Sequence, residues 1–310
     1  MIEIIGSEGI TVRIVADSIA STSGTRLTTF EIEYPRFILA ELNTHKMLSK
    51  NSASSRAIPV EKMLDMIFNN PAVPMHWGKN QPGMSAREEL AGPELAGVKS
   101  SWIAAMKEAV AFTKVLLGMG LHKQVANRIC EPWQRMKTVV SGTEWANFFH
   151  LRNHPDAQPE FRELARIMQL AYDQSQPQVL QPGQWHLPYV TTSINDDGSV
   201  TYYTTVGAGA LTEDDALKIS AACCAQVSYR RLDDTLDAAK RIFSRLIESD
   251  PKHASPVEHQ GKVMLNEVSS GSTDEWEPGV THMRRDGTLW SANFKGWVQA
   301  RQLIANEAKW

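Results

Sequence analysis

Thr44-His45-Lys46-Met47-Leu48-Ser49-Lys50-Asn51-Ser52-Ala53-Ser54-Ser55-Arg56 is the stretch on which the reading of this chain turns. It concentrates hydroxyls, an amide and basic groups, and it has no apolar periodicity. By pattern, Ser49 to Arg56 is a polar loop and not a core element. Hydroxyls beside a guanidinium suit a phosphate dianion, because arginine offers a planar fork of donors. The same composition equally describes a solvated surface loop.

On the N-terminal side, Phe30, Ile32 and Tyr34 alternate with Glu31 and Glu33, the period of a half-buried strand that Pro35 ends. Phe37, Ile38, Leu39 and Leu42 then predict a short helix leading into Thr44. On the C-terminal side, Pro71, Pro74, Gly78, Pro82, Gly83 and Pro93 mark a loop-rich stretch around Trp77. Helical spacing follows through Trp102, Met106, Val110, Val115 and Leu116, and again through Phe161, Leu164, Ile167, Met168 and Ala171. Alternation over 188–194 and 200–206, either side of Asp196-Asp197-Gly198, predicts a hairpin. An amphipathic helix runs through Leu236, Ala239, Ile242, Phe243, Leu246 and Ile247, with Asp233 or Asp234 as its cap. Ser269 to Gly287 reads as a surface loop and Trp290 to Ile304 as a last helix. Helices segregate from strands, which predicts an α+β fold.

Composition bounds the function. At about 150 residues per domain, 310 residues make two domains or one large one. Apolar residues at 42% and charged residues at 22% describe an ordinary globular chain. A net charge of −3 offers no polybasic field, so polymeric nucleic acid is not an expected partner. No apolar run reaches the roughly 18 residues of a membrane span. The start at Met1-Ile2-Glu3-Ile4-Ile5-Gly6 lacks a signal peptide's basic and apolar regions, so a cytoplasmic protein is expected. Cys130, Cys223 and Cys224 are an odd count with an adjacent pair, which argues against a disulfide framework and for buried, inert thiols. His-Glu-x-x-His, paired Cys-x-x-Cys and glycine-rich phosphate loops are absent, so no metal site is expected.

Two further clusters carry potential chemistry. His253-Ala254-Ser255-Pro256-Val257-Glu258-His259 sets two imidazoles and a carboxylate within seven residues, fit for proton transfer or ligand binding, or for an exposed turn. His150-Leu151-Arg152-Asn153-His154 follows the apolar pair Phe148-Phe149, so Arg152 is a candidate for partial burial beside an acceptor.

Together these segments resemble the flavin-dependent thymidylate synthases, the ThyX family. That family's signature is R-H-R-x-x-S-x-N-x-x-S-x-R, and His45, Ser49, Asn51, Ser54 and Arg56 match it, with Thr44 and Lys46 in place of its first two arginines. Phe30 to Glu41 is similar to the strand, proline and helix that approach the signature. Ala126-Asn127-Arg128-Ile129-Cys130-Glu131-Pro132 resembles V-A-R-x-x-L-P, and Asn147 to Phe161 resembles N-F-L-x-L-R-x-x-x-x-A-Q-x-E-I. Two motifs that ordinarily precede the signature come after it here. Ala225-Gln226-Val227-Ser228-Tyr229 matches A-R-V-S-Y, and His253 to His259 matches H-E-T-P-F-E-H. Trp297-Val298-Gln299-Ala300-Arg301-Gln302 is similar to the family's F-V-A-R-Q. The order is that of a circularly permuted relative, an arrangement associated with phage-encoded members.

The resemblance implies one catalytic domain over 1–310: a signature-bearing part at 25–175, an inserted hairpin at 176–212 and a permuted flavin-binding part at 213–310. It implies a mixed or antiparallel sheet with flanking helices, and a homotetramer with shared active sites in the cytoplasm (the host's, for a phage-encoded member). The implied reaction moves a one-carbon unit from methylenetetrahydrofolate to C5 of a deoxypyrimidine monophosphate, dUMP to dTMP, with FAD as cofactor and NADPH as reductant. Arg56, Ser54 and Arg128 would bind the phosphate, with Arg56 and Arg128 from different subunits. Arg152 would contact the pyrimidine, and Glu41 or Gln302 would stand where the family's glutamine faces the base. Arg152, Ser54 and Glu41 would be the catalytic set. His45, Lys46, Ser49, Asn51, Asn147, Ser228, His253, Ser255 and Glu258 would line the flavin. Two other readings stay open: a hydroxymethylase acting on dUMP or dCMP for phage DNA modification, and a non-catalytic nucleotide-binding protein.

Overall fold

The structure is a computed structural model that describes residues 2–54, 58–204, 209–228, 233–269 and 272–307. The chain opens with strands β1 (Glu3–Ile5), β2 (Thr11–Ala20) and β3 (Arg26–Pro35). A 3-10 turn at Arg36–Ile38 leads into the short helix α1 (Leu39–Leu42) and then β4 (Ser49–Ser52). Helices α2 (Val60–Asn69), α3 (Gly92–Gly118) and α4 (Lys123–Ala126) precede β5 (Arg135–Gly142). Helices α5 (Ala146–Arg152) and α6 (Pro159–Gln174) follow, and then strands β6 (Gln178–Leu180), β7 (Trp185–His186), β8 (Thr191–Ile194) and β9 (Val200–Tyr203). The C-terminal part contributes α7 (Glu213–Ala225), α8 (Leu236–Phe243), β10 (Gly261–Val263), β11 (His282–Met283), β12 (Leu289–Ser291), β13 (Phe294–Lys295) and β14 (Trp297–Gln299).

This is an α+β fold. Among the described residues, six strands form the main sheet in the order β1-β2-β3-β5-β4, with β6 joining parallel to β2 and the other pairs antiparallel. Alternation in β3 sorts its side chains onto two faces. Phe30, Ile32 and Tyr34 join Ile10, Val12, Ile14, Met136 and Val140 in an apolar cluster completed by Phe148, Phe161, Leu164, Ile167 and Met168 of α5 and α6. Each such side chain contributes roughly 1.5–3 kcal/mol on burial. The opposite face receives the C-terminal segments. There Gly261 lets β10 approach β3 closely, since a Cβ at that position would lie 2.6 Å from Leu27 Cδ2.

The strand at 30–34, the short helix after Pro35, the helices around 102–116 and 161–171 and the hairpin about Asp196-Asp197-Gly198 form as expected. Four expectations fail. Ser49–Ser52 is not loop but edge strand β4, paired to β5; an edge position tolerates polar side chains, and Ser52 Oγ meets Thr138 Oγ1 at 2.8 Å. The stretch 290–304 is not a helix. Trp290, Phe294 and Trp297 are strand-favouring aromatics, and the chain turns back at Ala292 (φ 51°) and Gly296 (φ 69°), so three short strands form and only Ala300–Leu303 is a 3-10 turn. The cap of α8 is Thr235, whose hydroxyl accepts from Ala238 N at 3.4 Å, while Asp233 Oδ1 accepts from Thr235 N. Within Ser269–Gly287, His282–Met283 pairs with β12.

Candidate functional site

The turn after α1 carries His45 to the end of α5. Arg152 Nε donates to His45 Nε2 at 2.8 Å, and its Nη2 donates to Thr44 Oγ1 at 3.2 Å. Its Nη1 lies 3.7 Å from Glu41 Oε2, and its guanidinium stands 4.8 Å above the Phe161 ring. Arginine has no lone pair to offer, so Nε2 of His45 accepts and the ring proton sits on Nδ1. The imidazole packs edge-on to Phe148 and Phe161. Burial, then the charges of Arg152 and Lys50, push its pKa down to about 4, so His45 is neutral and presents an Nδ1–H donor at neutral pH. Three of the expected residues, Glu41, His45 and Arg152, are thus brought together.

A second group forms where β4 meets the C-terminal segments. Ser49 Oγ donates to Asn293 Oδ1 at 3.2 Å and accepts from Gln299 Nε2 at 3.2 Å. Gln299 Nε2 also donates to the Glu258 carbonyl at 3.1 Å. Asn51 Nδ2 donates to the Cys224 carbonyl at 2.7 Å, tying the signature strand to the end of α7. Burial raises the Glu258 carboxyl's pKa, opposed by its ion pair with Arg301, which also binds Glu307. Ser49 and Asn51 thus meet groups 250 and 173 positions away in the chain, Gln299 and Cys224, and Gln299 brings Glu258 to the same place.

Other expected residues stand differently. Lys46, Asn147, His253 and Ser255 are exposed, and Gln302 is half-buried on the 3-10 turn after β14. Arg128 is half-exposed on the turn Asn127–Trp133 and donates to Glu131 at 2.7 Å, a carboxylate that also pairs with Arg36 at 3.0 Å. Ser54 follows β4 in the described chain. Arg56 and the Ser228 side chain lie outside the described residues. Burial raises the pKa of all three cysteine thiols, which fits inert packing. A cavity of about 240 Å³ beside α2 is lined by Ile58, Met63, Ile67 and Trp133 among others, and none of the candidate residues lines it.

Lys50, Gln299, Asn293 and Arg301 were not singled out as site residues. Lys50 occupies a variable signature position, and the other three act through contacts that no local pattern encodes. Lys50 Nζ donates to the carbonyls of His45 and Leu48. Burial and the neighbouring Lys46 charge lower its pKa to about 8, only partly opposed by Glu258. An ammonium disfavoured by burial and by a neighbouring cation suits a phosphate-bearing ligand, whose charge would relieve it. The donor set at this junction accordingly fits the anionic part of a flavin dinucleotide.

A family model described as "Thymidylate synthase complementing protein" (Thy1) matches residues 9–178, more than half of the chain. The chain belongs to this family. It is the flavin-dependent thymidylate synthase family that the motifs resemble, and its model spans the signature-bearing part and strands β2 to β5 of the main sheet. A crystal structure of a UMP/dUMP methylase, PolB from Streptomyces cacaoi, bound with 5-Br UMP, is similar over 53% of this chain and 88% of that chain, at 21% identity and a TM-score of 0.44. No curated protein sequence matches. Among the described residues no helix is long and apolar enough to cross a membrane.

Proposed function

We propose that this chain is a flavin-dependent enzyme that transfers a one-carbon unit from methylenetetrahydrofolate to C5 of a deoxypyrimidine monophosphate, converting dUMP to dTMP with NADPH as reductant. Family membership supports the reaction class. The observation that carries the reading is the junction at β4, where Ser49 and Asn51 of the signature bond to Gln299, Asn293 and the Cys224 carbonyl from the far end of the chain. Motifs in permuted order thereby adjoin, as one catalytic unit over 1–310 requires.

Bound at this junction, the flavin would supply the redox chemistry. Lys46, Lys50, Ser49, Asn51, His253, Ser255 and Asn147 would hold it, Ser228 with them, and Glu258 would be kept in place by Arg301. Arg152, on its Phe161 platform, would donate to a pyrimidine carbonyl, and His45 would offer its Nδ1–H. Arg56, Ser54 and Arg128 would bind the phosphate, with a neighbouring subunit of a homotetramer supplying one of the arginines.

One observation favours a second reading. Glu41 sits 3.7 Å from Arg152, where a family glutamine would face the base. A carboxylate only accepts hydrogen bonds, which suits the N4 amino group of cytosine better than the O4 carbonyl of uracil. A dCMP substrate follows from that, as in the hydroxymethylase reading. Incubating dUMP and dCMP separately with methylenetetrahydrofolate, FAD and NADPH, and weighing the products by mass spectrometry, decides between them. Thymidylate supports the first reading and a hydroxymethylated product replaces it. A purified protein that stays colourless and gains no 450-nm band with added FAD sinks both.

A further inference from the structure

The sheet face opposite α6 carries polar side chains that the proposed chemistry leaves unused. Ser18 of β2, Thr29 of β3 and Ser141 of β5 point to this face, and Thr29 and Ser141 are direct cross-strand partners. His186 of β7 and His259 reach it from above. All five are at most 4% exposed. Ser18 Oγ meets His186 Nδ1 at 2.9 Å, and His186 Nε2 meets Thr29 Oγ1 at 2.8 Å. Thr29 Oγ1 meets Ser141 Oγ at 2.7 Å, and Ser141 Oγ meets His259 Nδ1 at 2.9 Å. Nε2 of His259 is buried with no partner.

Counting protons constrains this chain. Burial holds both imidazoles neutral, with pKa values of about 3, so each ring carries one N–H and each hydroxyl one O–H. Five protons then serve four links. A link must hold one proton, neither none nor two, and the Thr29 and Ser141 hydroxyls bond only to members of the chain, so every group points its proton the same way and the fifth proton falls at one end, on Ser18 or on His259 Nε2. In one order both rings carry the proton on Nδ1; in the other, both carry it on Nε2.

We propose that Ser18, His186, Thr29, Ser141 and His259 are one end-to-end hydrogen-bond relay. It locks His186 and His259 into the same tautomer and positions the His253–His259 segment on the sheet. Its order is the one with Nδ1–H on both rings. That order puts the fifth proton on the Ser18 hydroxyl, which can rotate, and leaves a bare lone pair at His259 Nε2; the other order puts it on His259 Nε2, where the ring fixes its direction and no partner faces it, and a buried orphan donor is the rarer and costlier case. The relay gives the inserted segment at 176–212 a role: through His186 it braces the motif that carries Ser255 and Glu258. That part of the inference rests on the flavin-binding reading of those residues.

Nitrogen-15 NMR of the full-length, histidine-labelled protein at pH 7 tests the relay without any substitution. Two buried neutral rings, both protonated on Nδ1, are expected; one Nδ1–H ring paired with one Nε2–H ring overturns it. FAD titration tests the positioning role. Thr29→Val removes the central link while keeping the side-chain shape, and is expected to weaken FAD about tenfold with unchanged far-UV circular dichroism, whereas Thr29→Ser restores binding. A Thr29→Val protein that binds FAD as wild type does overturns the positioning role. A wild-type protein that binds no FAD overturns the flavin reading instead, and the tautomer measurement then decides the relay by itself.

Discussion

The two faces of the main sheet are built from opposite chemistry. Against α5 and α6 the sheet presents Phe30, Ile32, Tyr34, Val140 and Met136, a close-packed apolar surface. Against the C-terminal segments it presents Thr29, Ser141, Ser49 and Asn51, each bonded to a named partner. Apolar packing is non-directional and supplies most of the stability. Hydrogen bonds between buried groups contribute less but fix orientation, because a misplaced partner is left unsatisfied. Each face also supports one half of the candidate site. His45 and Arg152, with Glu41 beside the guanidinium, rest on the rings of Phe148 and Phe161, while Ser49, Asn51 and Glu258 rest on the polar face.

Substitutions that break one face at a time sharpen this contrast. The largest effect belongs to the apolar face. Phe30 is fully buried with its ring 4.9 Å from that of Trp145. Phe30→Ala should cost about 3–5 kcal/mol, read from the urea midpoint at constant slope. Next comes Arg152→Ala, which should leave the fold intact and lower product formation about a hundredfold. Removing that neighbouring cation should also let the His45 pKa rise above about 4, which an NMR titration reads independently of turnover.

Acid should dissolve the polar face selectively. In the unfolded chain a histidine takes up its proton near 6.5. Folded, His186 and His259 do so only at about 3. Between those values the unfolded state binds more protons, so the contribution of each ring is full above pH 6.5 and is lost as pH falls toward 3. The expected loss between pH 7 and pH 5 is about 2 kcal/mol per ring. Denaturant melts at the two pH values check it: His186→Gln should flatten the dependence, and no flattening would mean that the ring is protonated in the folded state.

The apolar face was legible in the sequence, since alternation in Phe30-Glu31-Ile32-Glu33-Tyr34 and helical spacing from Phe161 to Ala171 report burial directly. The polar face was not. Thr29 and Ser141 carry no period that distinguishes them from surface residues, and their value comes from a cross-strand pairing over 112 positions. The His253–His259 cluster stands out by its residues and is matched by resemblance, but its docking on the sheet rests on Ser141 and on Gln299, the latter within a stretch whose aromatic spacing suggests a helix. Short strands separated by Ala292 and Gly296 contain too few residues for a period of two to stand out from one of 3.6.

The smallest predicted effect lies where the faces meet, at Lys50 on edge strand β4. Its ammonium is held by the His45 and Leu48 carbonyls, beside the site half that rests on the apolar face, yet it also feels the charge of Glu258 across the junction. Burial and Lys46 lower its pKa to about 8, so its charged form is disfavoured in the folded chain. A depressed lysine penalises folding at every pH at which the unfolded side chain is charged, and the penalty is full below the folded pKa. Lys50→Met should therefore leave stability at pH 7 unchanged or slightly raised, by a few tenths of a kcal/mol once solvent screening is allowed for. An anionic ligand needs that charge, so the same variant should bind FAD several-fold more weakly. Wild-type affinity should also fall as pH rises through about 8, in step with loss of the ammonium proton, and Lys50→Met should abolish that step. A variant that loses stability and keeps both affinity and its pH step would make Lys50 a strut of the edge strand and not a contact for the ligand.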